Sequence, residues 1–200
     1  KVGLMSFFVK AAIEAVVSMQ TGTPVFKSDK LAGAAWTQAT KAAEQWNRPG
    51  VFTTLHGFEW TSAPGGNNLH RTVIFRDNAE RVNQVLPFSA FDSSDPARLW
   101  DYMDAYAKKT GGQVLAIPHN SNVSDGRMFQ MTDFAGKPID SAYAQTRMRN
   151  EPIIEMSQVK GTSDTHPLLS PNDEWADFET YDTLLGTDIK GKTDGGYIRQ

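Results

Sequence analysis

The alternation of helix-like and strand-like segments is the feature of this sequence that most constrains its fold. Apolar residues at helical spacing, together with capping residues, predict three helices, each followed by a short apolar or β-favouring segment. The helices fall within residues 29–46, 95–112 and 140–150, and the strands within residues 51–61, 113–120 and 152–161. Repeated helix–strand order is typical of parallel sheets. We therefore predict an α/β fold with a mainly parallel sheet or barrel.

One hairpin is expected to interrupt this order. Residues 51–61 and 69–77 are rich in aromatic and β-branched side chains, and a glycine-containing turn at residues 62–68 lies between them. Glu59 and His70 then lie near the facing ends of two neighbouring strands.

Charge and cysteine content exclude several classes of function. The net charge is −3 with acidic and basic residues mixed along the chain, so the sequence predicts no nucleic-acid partner. The chain has no cysteine, which excludes disulfides, a thiol nucleophile and thiolate-rich metal sites. Any metal must therefore be held by His, Asp and Glu. The absence of cysteine suits the cytoplasm and the bacterial periplasm equally.

The start of the chain is apolar but predicts neither a membrane span nor a signal peptide. Lys10 and Glu14 interrupt residues 1–20, and no uncharged run reaches the length of a membrane-spanning helix. We predict an amphipathic helix there. The length fits a single domain over residues 1–200. Because the chain starts at Lys1 rather than Met, we expect an internal fragment of a larger domain.

Histidine and glutamate are the candidate metal ligands. The four histidines are His56, His70, His119 and His166, and imidazole combined with carboxylate suits zinc, manganese or iron. Glu59 is the candidate bridging carboxylate. The alternative for any one of them is a hydrogen-bonded structural residue. His56 favours this alternative, because it lies three residues before Glu59 in one strand and the two side chains should point to opposite faces.

A second stretch, "AIPHNSNVSDGRMF" at residues 116–129, places His119 and Asn120 directly after an apolar strand. An α/β enzyme presents a ligand in this way. The alternative is a turn in which Asn and Asp side chains only satisfy their own backbone.

A third stretch contains Lys160, Asp164 and His166. Asp-x-His can place two ligands on one metal, or the Asp can orient the His, and Lys160 can neutralise a phosphate oxygen.

The sequence has no phosphate-binding loop, no dinucleotide fingerprint and no G-x-S-x-G motif. Metal-assisted hydrolysis is the chemistry that remains best supported.

Four stretches resemble a known family: "FTTLHGFEWTS", "NNLHRTVIFRD", "LAIPHNSNVSDGRMF" and "EPIIEMSQVKGTSDTHPLLSPNDEWADFE". They are similar to an uncharacterised bacterial domain-of-unknown-function family, number 3604, over nearly the whole chain. That family in turn resembles the PHP superfamily (polymerase and histidinol phosphatase), whose members hold two or three divalent metals. The resemblance implies part of a PHP-like distorted (βα) barrel of mainly parallel strands, with one inserted hairpin.

The order of metal ligands is part of this resemblance. PHP-like proteins carry a Glu at one strand end, a His shortly after it and another His at a later strand end, and Glu59, His70 and His119 match that order. The superfamily's early His-x-His pair has no match here, and Asp164-x-His166 follows His119 too closely to be its late Asp-x-His pair. The resemblance therefore implies a late pair beyond Gln200 and an incomplete metal site in this fragment.

The function implied by the resemblance is that of a metal-dependent hydrolase. Its small-molecule substrate would be a phosphoester, attacked by water that divalent metals activate. The resemblance implies the metal ligands Glu59, His70 and His119. From their own chemistry, Arg71, Asn120 and Lys160 are the predicted substrate contacts, and His166 is the predicted catalytic residue, as a proton donor or a further ligand. The alternative is a non-catalytic ligand-binding module on the same scaffold.

Overall fold

A three-stranded antiparallel sheet lies at the centre of the fold. The computed structural model describes residues 28–199. The sheet consists of β1 (His56–Trp60), β2 (Arg71–Phe75) and β3 (Val114–Pro118) in the order β1-β2-β3. Both pairs of neighbouring strands run antiparallel.

The helices predicted within residues 29–46, 95–112 and 140–150 are present, because local capping residues define their ends. Helix α1 (Asp29–Trp46) follows Ser28, whose side chain accepts a hydrogen bond from the Leu31 N–H group. Two further helices, α2 and α3, separate β2 from β3, and α4 follows β3. They are α2 (Ala79–Val82), α3 (Pro96–Thr110) and α4 (Ser141–Asn150).

Both ends of helix α3 lie at the capping residues that the sequence predicts. The carboxylate of Asp95 accepts a hydrogen bond from the Ala97 N–H group, and Pro96 occupies the first turn. The helix ends at Gly111, whose φ of 67° lies in the left-handed region that glycine adopts without steric cost.

The hydrophobic core lies between one face of the sheet and helices α1 and α3. Along β2, Arg71, Val73 and Phe75 are buried, while Thr72 and Ile74 on the other face are only half-buried. Helices α1 and α3 and the sheet contribute the large buried side chains Trp36, Trp60, Val73, Phe75, Leu99, Trp100, Met103 and Tyr106. The opposite face of the sheet carries the polar side chains described below.

The prediction of a mainly parallel (βα) barrel is wrong. The sheet is antiparallel and the described residues form no closed barrel. After Phe75 the chain passes through α2 and α3 and returns to the same end of the sheet, where the Arg76 N–H group donates to the Gln113 carbonyl at 3.0 Å. The helices are therefore inserted into a wide hairpin. Helix–strand alternation does not distinguish this arrangement from a crossover that makes parallel strands.

The predicted strand at residues 152–161 is reduced to a small separate hairpin. It consists of β4 (Ser157–Gln158) and β5 (Gly161–Thr162), which pair antiparallel. The predicted amphipathic helix at residues 1–20 lies outside the described residues. Between residues 28 and 199, no helix is long and apolar enough to cross a membrane.

Candidate metal centre

The pleat of the sheet places Glu59, His70 and His119 on the face opposite the core. Glu59 lies directly across from Thr72, and Thr72 lies directly across from Ile117. His70 precedes β2 and His119 follows β3, and the His119 N–H group donates to the His70 carbonyl at 3.3 Å. Because strand side chains alternate between faces, both histidines share the face of Thr72.

The three side chains converge in a compact cluster. The Glu59 Oε1 atom lies 2.9 Å from His119 Nε2 and 3.2 Å from His70 Nδ1. The two imidazole rings meet nearly edge to face, with 5.8 Å between their centroids. One ligand atom from each residue lies within 4.8 Å of the other two. The convergence expected from the sequence is therefore present in the structure.

The second ring nitrogen of His119 also has partners. His119 Nδ1 lies 3.4 Å from Thr72 Oγ1 and 3.4 Å from the Ile117 carbonyl oxygen. Nε2 donates to the Glu59 carboxylate at 2.9 Å. A cation at Nε2 would take the place of that proton, and the remaining ring proton on Nδ1 could then be accepted by these oxygens. Thr72 was missed in the sequence, although it lies two residues after His70 on the same strand face.

Electrostatics favour the ionisation states that a metal site needs. Burial by itself raises the pKa of Glu59, but the hydrogen bond with His119 and the charges of His70 and His119 outweigh it, so the pKa is below its usual value. Burial lowers the pKa of His70; the positive charges of His119 and Lys160 add to this, and Glu59 opposes it. An anionic Glu59 and a neutral His70 at neutral pH are the forms that bind cations.

The turn before β2 positions His70. A short 3-10 helix at Pro64–Gly66 reverses the chain, with Gly65 and Gly66 both at positive φ. The carboxamide oxygen of Asn68 then accepts a hydrogen bond of 2.7 Å from the His70 N–H group. This side-chain-to-backbone bond holds the chain at the point where it enters β2.

The segment after β3 brings Lys160 to the same side of the molecule. Asn122 Nδ2 donates to the Lys160 carbonyl and to the Tyr181 carbonyl, both at 2.8 Å. The Lys160 charge acts on the pKa of His70, and no ion pair of its ammonium group is found within residues 28–199. The sequence also allowed a turn in which the Asn side chains bond only to their own backbone. Asn122 does not fit that alternative, because its amide donates to carbonyls 38 and 59 residues away.

Asn120 lies directly after His119 in an unusual conformation. Its φ of 56° is in the left-handed region, and its side chain is buried. Neither the amide nitrogen nor the amide oxygen has a hydrogen-bond partner among the described residues. Buried amide groups usually have hydrogen-bond partners. Asn120 is therefore an exception, and it lies directly beside the cluster.

The structure does not bring Arg71 to the cluster. Arg71 lies on the core face of β2, where its side chain is 1% exposed and its Nε donates to Glu151 Oε1 at 2.9 Å. The alternation of the strand explains this position, since Arg71 follows His70 directly and must point to the other face. A substrate contact at the Glu59 cluster is therefore not available to Arg71.

His166 also lies apart from the cluster. Its Nδ1 accepts a hydrogen bond from the Leu168 N–H group, its Nε2 faces Asp182 at 3.5 Å, and its ring packs against Tyr197. Asp164 does not orient it, because that carboxylate pairs with Arg199.

His56 lies where a hydrogen-bonded structural residue is expected. The His56 side chain is on the core face, opposite to that of Glu59, and its Nε2 lies 3.0 Å from Glu44 Oε1.

Comparisons with known proteins add a family but no activity. The model of the family described as "Protein of unknown function (DUF3604)" matches residues 4–200. No curated protein and no solved structure matches this chain.

Proposed function

This chain belongs to the DUF3604 family of proteins of unknown function, and from that premise we propose that it is a metal-dependent hydrolase whose cation is held by Glu59, His70 and His119. The observation that carries the proposal is the convergence of their ligand atoms within 4.8 Å. Two ligands that are each about 2 Å from a tetrahedral zinc lie roughly 3.3 Å apart. The distances of 2.9 and 3.2 Å from Glu59 are already close to this spacing.

The chemistry of the donor set fits a divalent transition metal. Two imidazoles and one carboxylate suit zinc, manganese or iron, and three protein ligands leave a coordination position open. A cation in such a site lowers the pKa of water and stabilises negative charge on an attacked ester. Glu59 supplies the negative charge of the site, and its side chain is 48% exposed, so the cluster is accessible from solvent.

The protein's own residues supply orientation around the cluster. Thr72 and the Ile117 carbonyl hold Nδ1 of His119, so that Nε2 faces Glu59. Asn68 holds the backbone of His70. Such outer contacts typically change metal affinity or activity by ten- to a hundredfold when they are removed.

Phosphoesters are the proposed substrate class, for two reasons. Lys160 brings a positive charge within electrostatic range of His70, where it can neutralise a phosphate oxygen. The order Glu59, His70, His119 also resembles the ligand order of PHP phosphoesterases, although the antiparallel sheet gives no support to a PHP-like barrel.

The test is metal analysis followed by an activity screen. We expect the full-length protein to contain zinc, manganese or iron by elemental analysis, and to hydrolyse p-nitrophenyl phosphate or a panel of phosphoesters when that metal is supplied. The absence of both bound metal and measurable metal affinity would contradict the proposal. Stoichiometric metal without hydrolysis of any ester would favour the alternative of a non-catalytic binding module.

A further inference from the structure

A buried ion network lies behind the sheet, on the core side of Arg71. Glu151 accepts hydrogen bonds at Oε1 from Arg71 Nε (2.9 Å) and Trp100 Nε1 (2.8 Å), and at Oε2 from Arg147 Nε (3.1 Å). The side chains of Arg71 and Glu151 are only 1% and 2% exposed. Both oxygens of the single carboxylate are thus occupied by protein donors.

This network has more positive than negative charge. Two guanidinium groups, those of Arg71 and Arg147, face one carboxylate, that of Glu151. The Nη2 atom of Arg147 is buried and has no acceptor among the described residues, while its guanidinium lies over the Phe129 ring at 5.1 Å. An unpaired buried donor is costly, and more so when it is charged. An additional acceptor with negative charge would offset that cost.

A small recess lies beside Arg147 and adjoins a larger cleft. The recess is lined by Arg71, Tyr143, Arg147 and Arg127 among others and has a volume of about 20 Å³. A buried water needs roughly 10–15 Å³, so the recess holds one oxygen-sized group. The adjoining cleft has a volume of about 630 Å³, and Arg127 lines both. A ligand can therefore place one atom in the recess and the rest in the cleft.

We propose that this cleft binds a small molecule through an oxyanion head group, a carboxylate or a phosphate, with one oxygen in the recess at Arg147 and a second contact to Arg127. Arg127 is exposed, and its guanidinium group makes no ion pair within residues 28–199. Arginine binds both kinds of oxyanion in bidentate geometry. Because Arg127 and Arg147 both line the recess, a single head group placed there can contact both.

The rest of the cleft limits the ligand further. Phe129, Met131 and Phe134 line it and can contact an apolar body. The other charged residues that line the cleft are Asp125, Asp133, Asp194 and Lys192. Three carboxylates against one ammonium group disfavour a polyanion such as a di- or triphosphate. The geometry therefore points to a single oxyanion on a small, partly apolar molecule.

This site is separate from the Glu59 cluster. None of Glu59, His70 and His119 lines the recess or the cleft. Arg71 points to the sheet face opposite that of His70, because the two are consecutive residues. Anion binding here requires no metal and can be measured in the presence of a chelator, which keeps the outcome independent of the proposed hydrolase site.

The experiment is calorimetric titration and thermal melting of the full-length protein in EDTA, with sodium phosphate and sodium benzoate as separate probes and sodium chloride at equal ionic strength as reference. We expect saturable binding and a raised Tm with at least one oxyanion; binding of phosphate alone or benzoate alone identifies the head group. If neither probe binds above the chloride reference, the proposal is overturned.

Variants locate the binding. Arg127→Gln is the decisive variant, because its exposed side chain makes no structural ion pair in the described part of the chain, and we expect roughly tenfold or greater loss of affinity. Arg147→Lys should also weaken binding. Arg149→Gln is the matched control, since this exposed arginine of α4 pairs with Asp104 instead. Equal affinity in Arg127→Gln and Arg149→Gln would overturn the assignment of the site.

Discussion

Glu59 and His119 share a contact of 2.9 Å although they are 60 residues apart in the chain. The contact exists because β1 and β3 flank β2. Glu59 in β1 and His119 directly after β3 lie on the same face of the sheet. A carboxylate that joins two imidazoles in this way can hold a cation, or can simply accept hydrogen bonds. The first prediction distinguishes these roles.

Glu59→Gln should keep the shape of the side chain but remove its negative charge. We expect metal affinity to fall by at least about ten- to a hundredfold, since the loss of a direct ligand should cost no less than the loss of an outer contact. Stability should change by roughly 1 kcal/mol or less. Titration with zinc or manganese measures the first effect and thermal melting the second. Glu174→Gln, an exposed glutamate, is the control. Unchanged metal affinity with a lower Tm would assign Glu59 a purely structural role.

Thr72→Val should weaken metal binding without removing any ligand. The variant keeps the size of the side chain but loses the hydroxyl group that lies 3.4 Å from His119 Nδ1. We expect a loss of about tenfold in metal affinity, because the orientation and tautomer of His119 are then less well defined. Thr72→Ser retains the hydroxyl and should restore most of the affinity. Nitrogen NMR of the His119 ring reports the tautomer, and identical spectra and affinities for the Val and Ser variants would contradict this role.

Acid should destabilise the protein through Glu151. Burial by itself raises the pKa of Glu151, but the charges of Arg71 and Arg147 and the hydrogen bonds from Arg71 and Trp100 outweigh it, so the folded-state pKa lies below the ordinary value of 4.5. A depressed pKa stabilises the fold above the unfolded-state value, and this contribution is lost as the pH falls through the folded-state value. We expect the free energy of unfolding to decrease as the pH falls below about 4.5.

Glu151→Gln tests this assignment. At pH 7 it should destabilise the fold by about 3–5 kcal/mol, because the buried Arg71 and the half-buried Arg147 lose the one carboxylate that pairs with them within residues 28–199. Its stability should also depend less on pH in the acid range than that of the wild type. Urea unfolding between pH 7 and pH 3 measures both effects. A variant with the wild-type slope in acid would show that other carboxylates, such as the partly buried Asp77, account for the pH dependence.

His166→Gln should leave metal content and hydrolysis unchanged. His166 contacts Leu168, Asp182 and Tyr197 and does not belong to the Glu59 cluster. Loss of its hydrogen bonds should lower stability by about 1 kcal/mol. Elemental analysis, the phosphoester assay and thermal melting together check this expectation. A selective loss of activity at normal stability and metal content would restore the catalytic role that the sequence suggested.

The sequence by itself determined the features that depend on neighbouring residues. Ser28, Asp95 and Gly111 define helix ends because capping involves groups within a few positions of each other. Strand alternation correctly separated His56 from Glu59, since the side-chain period of two is local. The grouping of Glu59 with His70 also followed from local signals, because one short turn joins their strands.

Only the tertiary structure decided the direction of β3 and the partner of Arg71. The strand direction depends on where the chain returns after α2 and α3, and helical periodicity contains no information on that path. Arg71 lies next to His70 in sequence but pairs with Glu151, 80 residues away, on the opposite face of the sheet. Burial of a charge is decided by the partner that long-range packing brings to it. For this reason the sequence could nominate Arg71 as a functional residue, whereas the structure assigns it to the buried network behind the sheet.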